Sequence, residues 1–151
     1  MAWYLCAISP NEPRNWQLCK ERGLWGYTRG TPKCEAGDHL LFWIGKRGYI
    51  GYGLVTDMPR RPRSKADAPW AGGTDRFTAV VPMTVQVEIA EPVFLPFVNN
   101  VQQDTGFNTG QLQRGMSLVP NDAATRITAR LLERYFEAQG EAEGSESPDR
   151  A

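Results

Sequence analysis

Residues 39–56 read HLLFWIGKRGYIGYGLVT. The run His39 to Ile44 is short, apolar and rich in aromatic and branched residues, so it reads as a buried strand. Gly45-Lys46-Arg47-Gly48 supplies turn residues, and Tyr49 to Thr56 reads as the hairpin partner. Gly48, Gly51 and Gly53 precede no helix, so they form no phosphate cradle. They predict instead a curved strand that another backbone approaches closely.

Working outward, the hairpin follows the turn Glu35-Ala36-Gly37-Asp38. Residues 2–8, AWYLCAI, predict a first strand. Asn11 to Arg22 predict a short helix that stops near Gly23. Downstream, residues 57–75 form a long loop of Pro, Arg and Gly, of the kind that is functional or mobile in compact domains. Phe77 to Val87 predicts a strand, with Pro82 marking an edge or a bulge. Val93–Val98 and Met116–Val119 predict two short strands, with polar loop over 99–115. A closing helix starts at Asn121 or Asp122 and runs to about Ala138, with Ile127, Leu131, Leu132 and Tyr135 on its apolar face. Strands with one early and one late helix predict an α+β domain over residues 1–138, built on a small, curled, mostly antiparallel sheet or barrel flanked by helices.

With 151 residues, 41% of them hydrophobic, the chain can bury one core of ordinary size. No apolar run approaches the roughly 18 residues of a membrane span. Met1-Ala2-Trp3-Tyr4-Leu5 lacks the regions of a signal peptide, so the expectation is a cytoplasmic protein. The net charge of zero divides unevenly. Residues 140–151 hold Glu141, Glu143, Glu146 and Asp149 against Arg150, or −3, leaving the body at +3. Residues 139–151 read as a disordered acidic tail. The mildly basic body is compatible with nucleic acid.

Chemistry that breaks bonds leaves no mark. His39 is the only histidine and heads a strand. Cys6, Cys19 and Cys34 form no Cys-x-x-Cys pair, and read as buried free thiols with neither zinc nor disulfide. Asp38 lies in a turn, and the three loop aspartates Asp57, Asp67 and Asp75 could bind a cation but their spacing fits no oxygen cage. No nucleophile elbow or Walker sequence occurs. The expectation is no catalytic residue, no metal, no cofactor and no enzyme.

Binding hardware does stand out in Ser9–Gly26, SPNEPRNWQLCKERGLWG. Asn11 and Asn15 lie near a helix start, and Trp25-Gly26 follows its end. Carboxamides read hydrogen-bond edges and indoles stack on flat rings. Asn11 also suits an N-cap, so both roles stay open there. Trp70 lies in Ala68-Pro69-Trp70-Ala71-Gly72-Gly73, a loop where packing alone does not account for it. Trp3, Trp16 and Trp43 read as core. Arg60, Arg61, Arg63 and Lys65, on a Pro-stiffened loop, and Arg114 further on suit phosphate contacts.

The order of these features resembles an EVE domain of the PUA-like fold, related to YTH domains. The likeness spans Trp3 to about Tyr135. It covers the opening strand, the Asn-Trp helix, Trp25-Gly26, the Gly37-Asp38 turn with LLFW after it, the Gly-rich strand, and Gln113-Arg114-Gly115-Met116-Ser117. It implies a pocket for an extruded modified base, with Asn11, Asn15, Trp25 and Trp70 at the positions of the YTH pocket and Arg114 at its backbone clamp. Gly26 replaces a hydroxyl residue, so a hydrogen bond there would come from the backbone. The implied function is a DNA reader that flips a modified base, 5-methylcytosine first. The alternatives are an RNA reader of a modified base or a binder of small, nucleobase-like molecules. Nuclease or motor domains often accompany EVE domains, so a partner nuclease or other effector is expected and this chain would read without cutting.

Overall fold

The computed structural model describes residues 1–93, 97–98, 101–102 and 116–146. In chain order the elements are β1 (Trp3–Ile8), α1 (Pro13–Arg22), β2 (Leu24–Tyr27), β3 (His39–Ile44), β4 (Gly48–Val55), α2 (Gly73–Arg76), β5 (Ala79–Val93), β6 (Phe97–Val98), β7 (Val101–Gln102), β8 (Met116–Val119) and α3 (Asn121–Glu146). Six strands form one sheet in the order β2-β5-β4-β3-β1-β8. Its pairs are antiparallel apart from β1 with β3. The sheet curls strongly into a half-barrel, the α+β architecture expected.

The hairpin forms as read. β3 spans His39–Ile44, and β4 pairs with it antiparallel. Its alternate residues serve two cores. Leu40 and Phe42 enter a cluster with Trp16, Trp25 and Trp70, whereas Leu41 enters one with Ile127 and Leu131. Burial of both faces is why this strand is apolar without alternation.

The β4 glycines act where backbones crowd. A Cβ on Gly53 would lie 2.5 Å from the Thr84 carbonyl oxygen, and one on Gly51 would meet that of Val87. The β4–β5 register shifts beside both residues, so the strand bends as it pairs. β5 is longer than expected because it serves two neighbours. Ala79–Pro82 pairs with β2, and Met83–Val93 pairs with β4. Pro82 stands at the change of partner. Its carbonyl accepts from the Thr56 N–H at 2.9 Å, and its missing N–H costs the ladder little there.

α1 starts later than its asparagines suggested. Pro13 takes the first turn, and Glu12 holds the N-cap position without a side-chain cap hydrogen bond among the described residues. Asn11 is therefore not the cap. Gly23, at φ 63°, ends the helix in a left-handed conformation and donates its N–H to Cys19 O. β2 begins at the next residue, so Trp25 and Gly26 sit in a strand that the sequence did not reveal. At the other end α3 passes Ala138 and continues to Glu146. Gln139, Glu141, Ala142 and Glu143 are strong enough helix formers to carry it across Gly140.

Candidate functional site

A cleft of about 200 Å³ opens where the end of β1, α1, β2 and the 68–77 segment converge. Asn15, Trp25, Gly26 and Trp70, singled out in the sequence, all line it, together with Ser9, Glu12, Trp16, Cys19, Thr28, Arg76 and Phe77. Residues far apart in the chain thus form one site, because β2 pairs with β5 and draws Gly26 under the loop that carries Trp70.

Gly26 sets the spacing. A Cβ there would come within 2.7 Å of the Phe77 ring and 2.8 Å of the Trp70 ring. The glycine in place of a hydroxyl residue is therefore a packing requirement: two rings fill the space a side chain would take. Trp70 is only 4% exposed and packs on Phe77, with ring centroids 4.7 Å apart. Its Nε1–H donates to the Asn15 carbonyl at 3.3 Å. Packing thus accounts for Trp70 after all. Trp25, 7% exposed, lies 6.0 Å from the Phe42 ring, centroid to centroid. Each indole is backed by a phenylalanine. Trp25 Nε1 is buried with no hydrogen-bond partner among the described residues. Leaving such a donor unpaired costs about 1–3 kcal/mol.

The polar side of the cleft comes from α1. Asn15 donates from Nδ2 to Glu12 Oε2 at 3.0 Å. Asn11 does not join them. It is exposed and lies outside the lining, with its backbone N–H on Ser9 Oγ at 3.3 Å. The Asn11/Asn15 pair is replaced in space by Glu12/Asn15. The reason is the helix start: Pro13 at the first turn puts Glu12, and not Asn11, beside Asn15.

The cations separate into three groups. Arg60 is engaged in a brace. Its guanidinium donates to both carboxylate oxygens of Asp67, at 2.6 and 3.0 Å, and its backbone bridges Val80. The Arg63 N–H also reaches Asp67 at 2.9 Å. The Arg60 hydrogen bonds, then that of Arg63, hold the Asp67 carboxyl down to about 2. Arg60 is thus committed to shaping its loop, which corrects its reading as a free phosphate contact. The side chains of Arg61, Arg63 and Lys65 are exposed and outside the cleft lining. Arg76, which the sequence reading missed, lines the cleft, stacks 5.2 Å over Phe77 and donates to the Ala71 carbonyl at 3.2 Å. Its position after Gly72-Gly73 and before an aromatic residue was the available signal. Arg114 lies outside the described residues.

The cysteines are free and buried, as expected. Burial pushes the Cys19 thiol up to about 12, and burial followed by the Asp38 charge pushes Cys34 up to about 11. Cys19, in the cleft wall, is a neutral thiol at ordinary pH. No group of acidic, histidine and cysteine side chains among the described residues could hold a metal ion. Trp16 is core, as read, and its Nε1 donates to Glu88 Oε2 at 2.7 Å. Trp3 and Trp43 are half-buried. Trp3 stacks on His39 at 4.3 Å.

No family model and no curated relative matches the sequence. Solved structures do match. The YTH domain of Toxoplasma CPSF4 in its apo form superposes with a TM-score of 0.63 at 14% identity, over 88% of each chain. A hypothetical protein of Leishmania major gives 0.62 at 15%, over 92% of this chain and 97% of the other. The Toxoplasma domain in complex with a 7-mer m6A-modified RNA gives 0.57 at 14%, over 87% and 92%. The fold is YTH/PUA-like.

Proposed function

We propose that this chain is a non-catalytic reader that takes one modified base, extruded from nucleic acid, into the cleft between α1 and β2. The observation that carries this is the convergence of Asn15, Trp25, Gly26 and Trp70 on one cavity. Its volume of about 200 Å³ falls below the roughly 300–1,000 Å³ of drug-sized pockets and suits a single heterocycle. Extruding a base costs a few kcal/mol, and stacking on an aromatic ring returns about 1–3 kcal/mol per base. Phosphate contacts supply the remaining affinity, with Arg76 at the cleft and Arg61, Arg63 and Lys65 beyond it as donors.

The EVE resemblance favours DNA carrying 5-methylcytosine as the ligand of a cytoplasmic reader with a separate effector. RNA carrying N6-methyladenine is the second reading, supported by the Toxoplasma domain of like fold solved with m6A-modified RNA. One buried methyl is worth only about 0.8 kcal/mol, about fourfold in affinity, so shape must provide any stronger selectivity. The non-catalytic reading rests on the lining. Glu12 is its one carboxylate among the described residues, it accepts from Asn15, and the Cys19 thiol is held protonated.

Fluorescence anisotropy tests the reading with four matched probes: duplex DNA with and without 5-methylcytosine, and RNA with and without N6-methyladenine. Preference for one modified probe over its plain partner is expected. Equal binding of both partners in both pairs overturns the reading. Release of free base on incubation with the bound probe would make the protein an enzyme.

A further inference from the structure

Glu12 has no counterpart in the expected base-binding set, yet its carboxylate stands in the cleft lining beside Asn15. An ionised carboxylate is acceptor-only, so the group that Asn15 turns toward it must be the NH2. The Asn15 amide is thereby held in one of its two orientations, with Oδ1 as the atom left for a ligand. The α1 side of the cleft then offers acceptors from both residues. Trp25, from β2, lines the same cleft with its indole almost fully buried.

We infer that Glu12, by fixing the Asn15 carboxamide as an acceptor in the cleft wall, selects bases that present an exocyclic amine. Cytosine- and adenine-type bases have that amine. Thymine and uracil turn an oxo group toward the Asn15 acceptor, so that contact becomes a repulsion. Glu12 acts here as a positioning residue, working through Asn15. The inference rests on the base-reader proposal above and deepens it.

The test compares short DNA duplexes differing at one position, which holds 5-methylcytosine, thymine or an abasic site, always opposite guanine. 5-Methylcytosine and thymine share ring size and methyl group and differ in the amine and the adjacent ring nitrogen. The thymine mismatch extrudes more easily, so the design is biased against the inference. The intact chain is expected to prefer 5-methylcytosine by about tenfold. Glu12→Gln can present either a donor or an acceptor to Asn15 and is expected to reduce that preference to about threefold or less. Glu12 is exposed, so this variant keeps the fold.

Equal binding of 5-methylcytosine and thymine, both tighter than the abasic duplex, overturns the inference and leaves the reader proposal standing. Binding of the abasic duplex as tight as either base overturns the reader proposal for DNA. A tenfold preference that survives in Glu12→Gln overturns the role of Glu12. In the free protein, the Asn15 side-chain NH2 cross-peak in a nitrogen-15 correlation spectrum should move in Glu12→Gln. An unmoved cross-peak removes the lock whatever the ligand.

Discussion

The two faces of the curled sheet are packed by different chemistry. Beneath α3, the contact is made by Ala123, Ala124, Ile127 and Leu131 with Leu5, Leu41, Tyr49 and Val119, all within 2% of full burial. Across the sheet, the cluster that holds the cleft is built on Trp16, Trp25, Phe42, Trp70 and Phe77, with Cys6, Cys19 and Cys34 among them. The α3 face is closed packing, aliphatic residues of α3 against the sheet around the buried Tyr49. The α1 face contains an unpaired indole N–H, a glycine that no other residue can replace without displacing rings, and a carboxylate–carboxamide pair. The α3 face also holds a buried nitrogen without a partner among the described residues, Nδ1 of His39, which stacks on Trp3, so the faces differ in their rings and in the cleft more than in unpaired atoms.

The contrast can be broken experimentally, and the largest effect belongs to the closed face. Leu131→Ala should cost about 2–5 kcal/mol in urea unfolding and leave base preference unchanged in the folded fraction. Loss of preference at full folding would mean that the two faces are coupled. Gly26→Ala comes next, at about 1–3 kcal/mol, because the new methyl must displace the Phe77 or Trp70 ring. Binding should fall with it, and binding at wild-type strength would place the ligand elsewhere.

The loop brace gives a smaller, pH-dependent effect. Asp67 has its carboxyl lowered to about 2 by the Arg60 and Arg63 hydrogen bonds. A depressed acid adds stability above its unfolded value, near 3.8, and that stability is lost as pH falls through about 2. Asp67→Asn should cost about 1 kcal/mol at neutral pH, given that both partners are partly exposed. The difference between wild type and variant should close as the pH approaches 2. A constant difference across that range would deny the ion pair its role. The smallest effect concerns phosphate: Arg76→Ala should reduce the slope of log affinity against log salt by about 0.9 for one lost contact on duplex DNA. An unchanged slope would restrict Arg76 to packing over Phe77.

The same contrast governs how much was legible in the sequence. β3 and β8 were read to the residue, because each is a short apolar run between turn residues. β2 escaped notice because its four residues are held by β5, more than fifty positions away, and neither strand announces the other. Asn15 and Trp25 were singled out by their spacing and Trp70 by its glycine-rich loop, and the resemblance joined them, but Trp70 needed Gly26 beneath it before its burial made sense. Asn11 was misplaced because an asparagine's fitness to cap a helix is local, whereas Pro13 decided where the helix began. Arg60 looked like its neighbours until Asp67 claimed it, and a seven-residue separation on an irregular loop carries no periodic signal.

The crowding at Gly26 also has a consequence for heredity. Two rings already occupy the volume of its absent β-carbon. A descendant of this chain that acquires any side chain at position 26 must surrender ring volume at 70 or 77, or lose the cleft. Those three positions should therefore drift as a set, with small-large-large exchanged for large-small combinations, while the exposed arginines of the neighbouring loop vary one at a time.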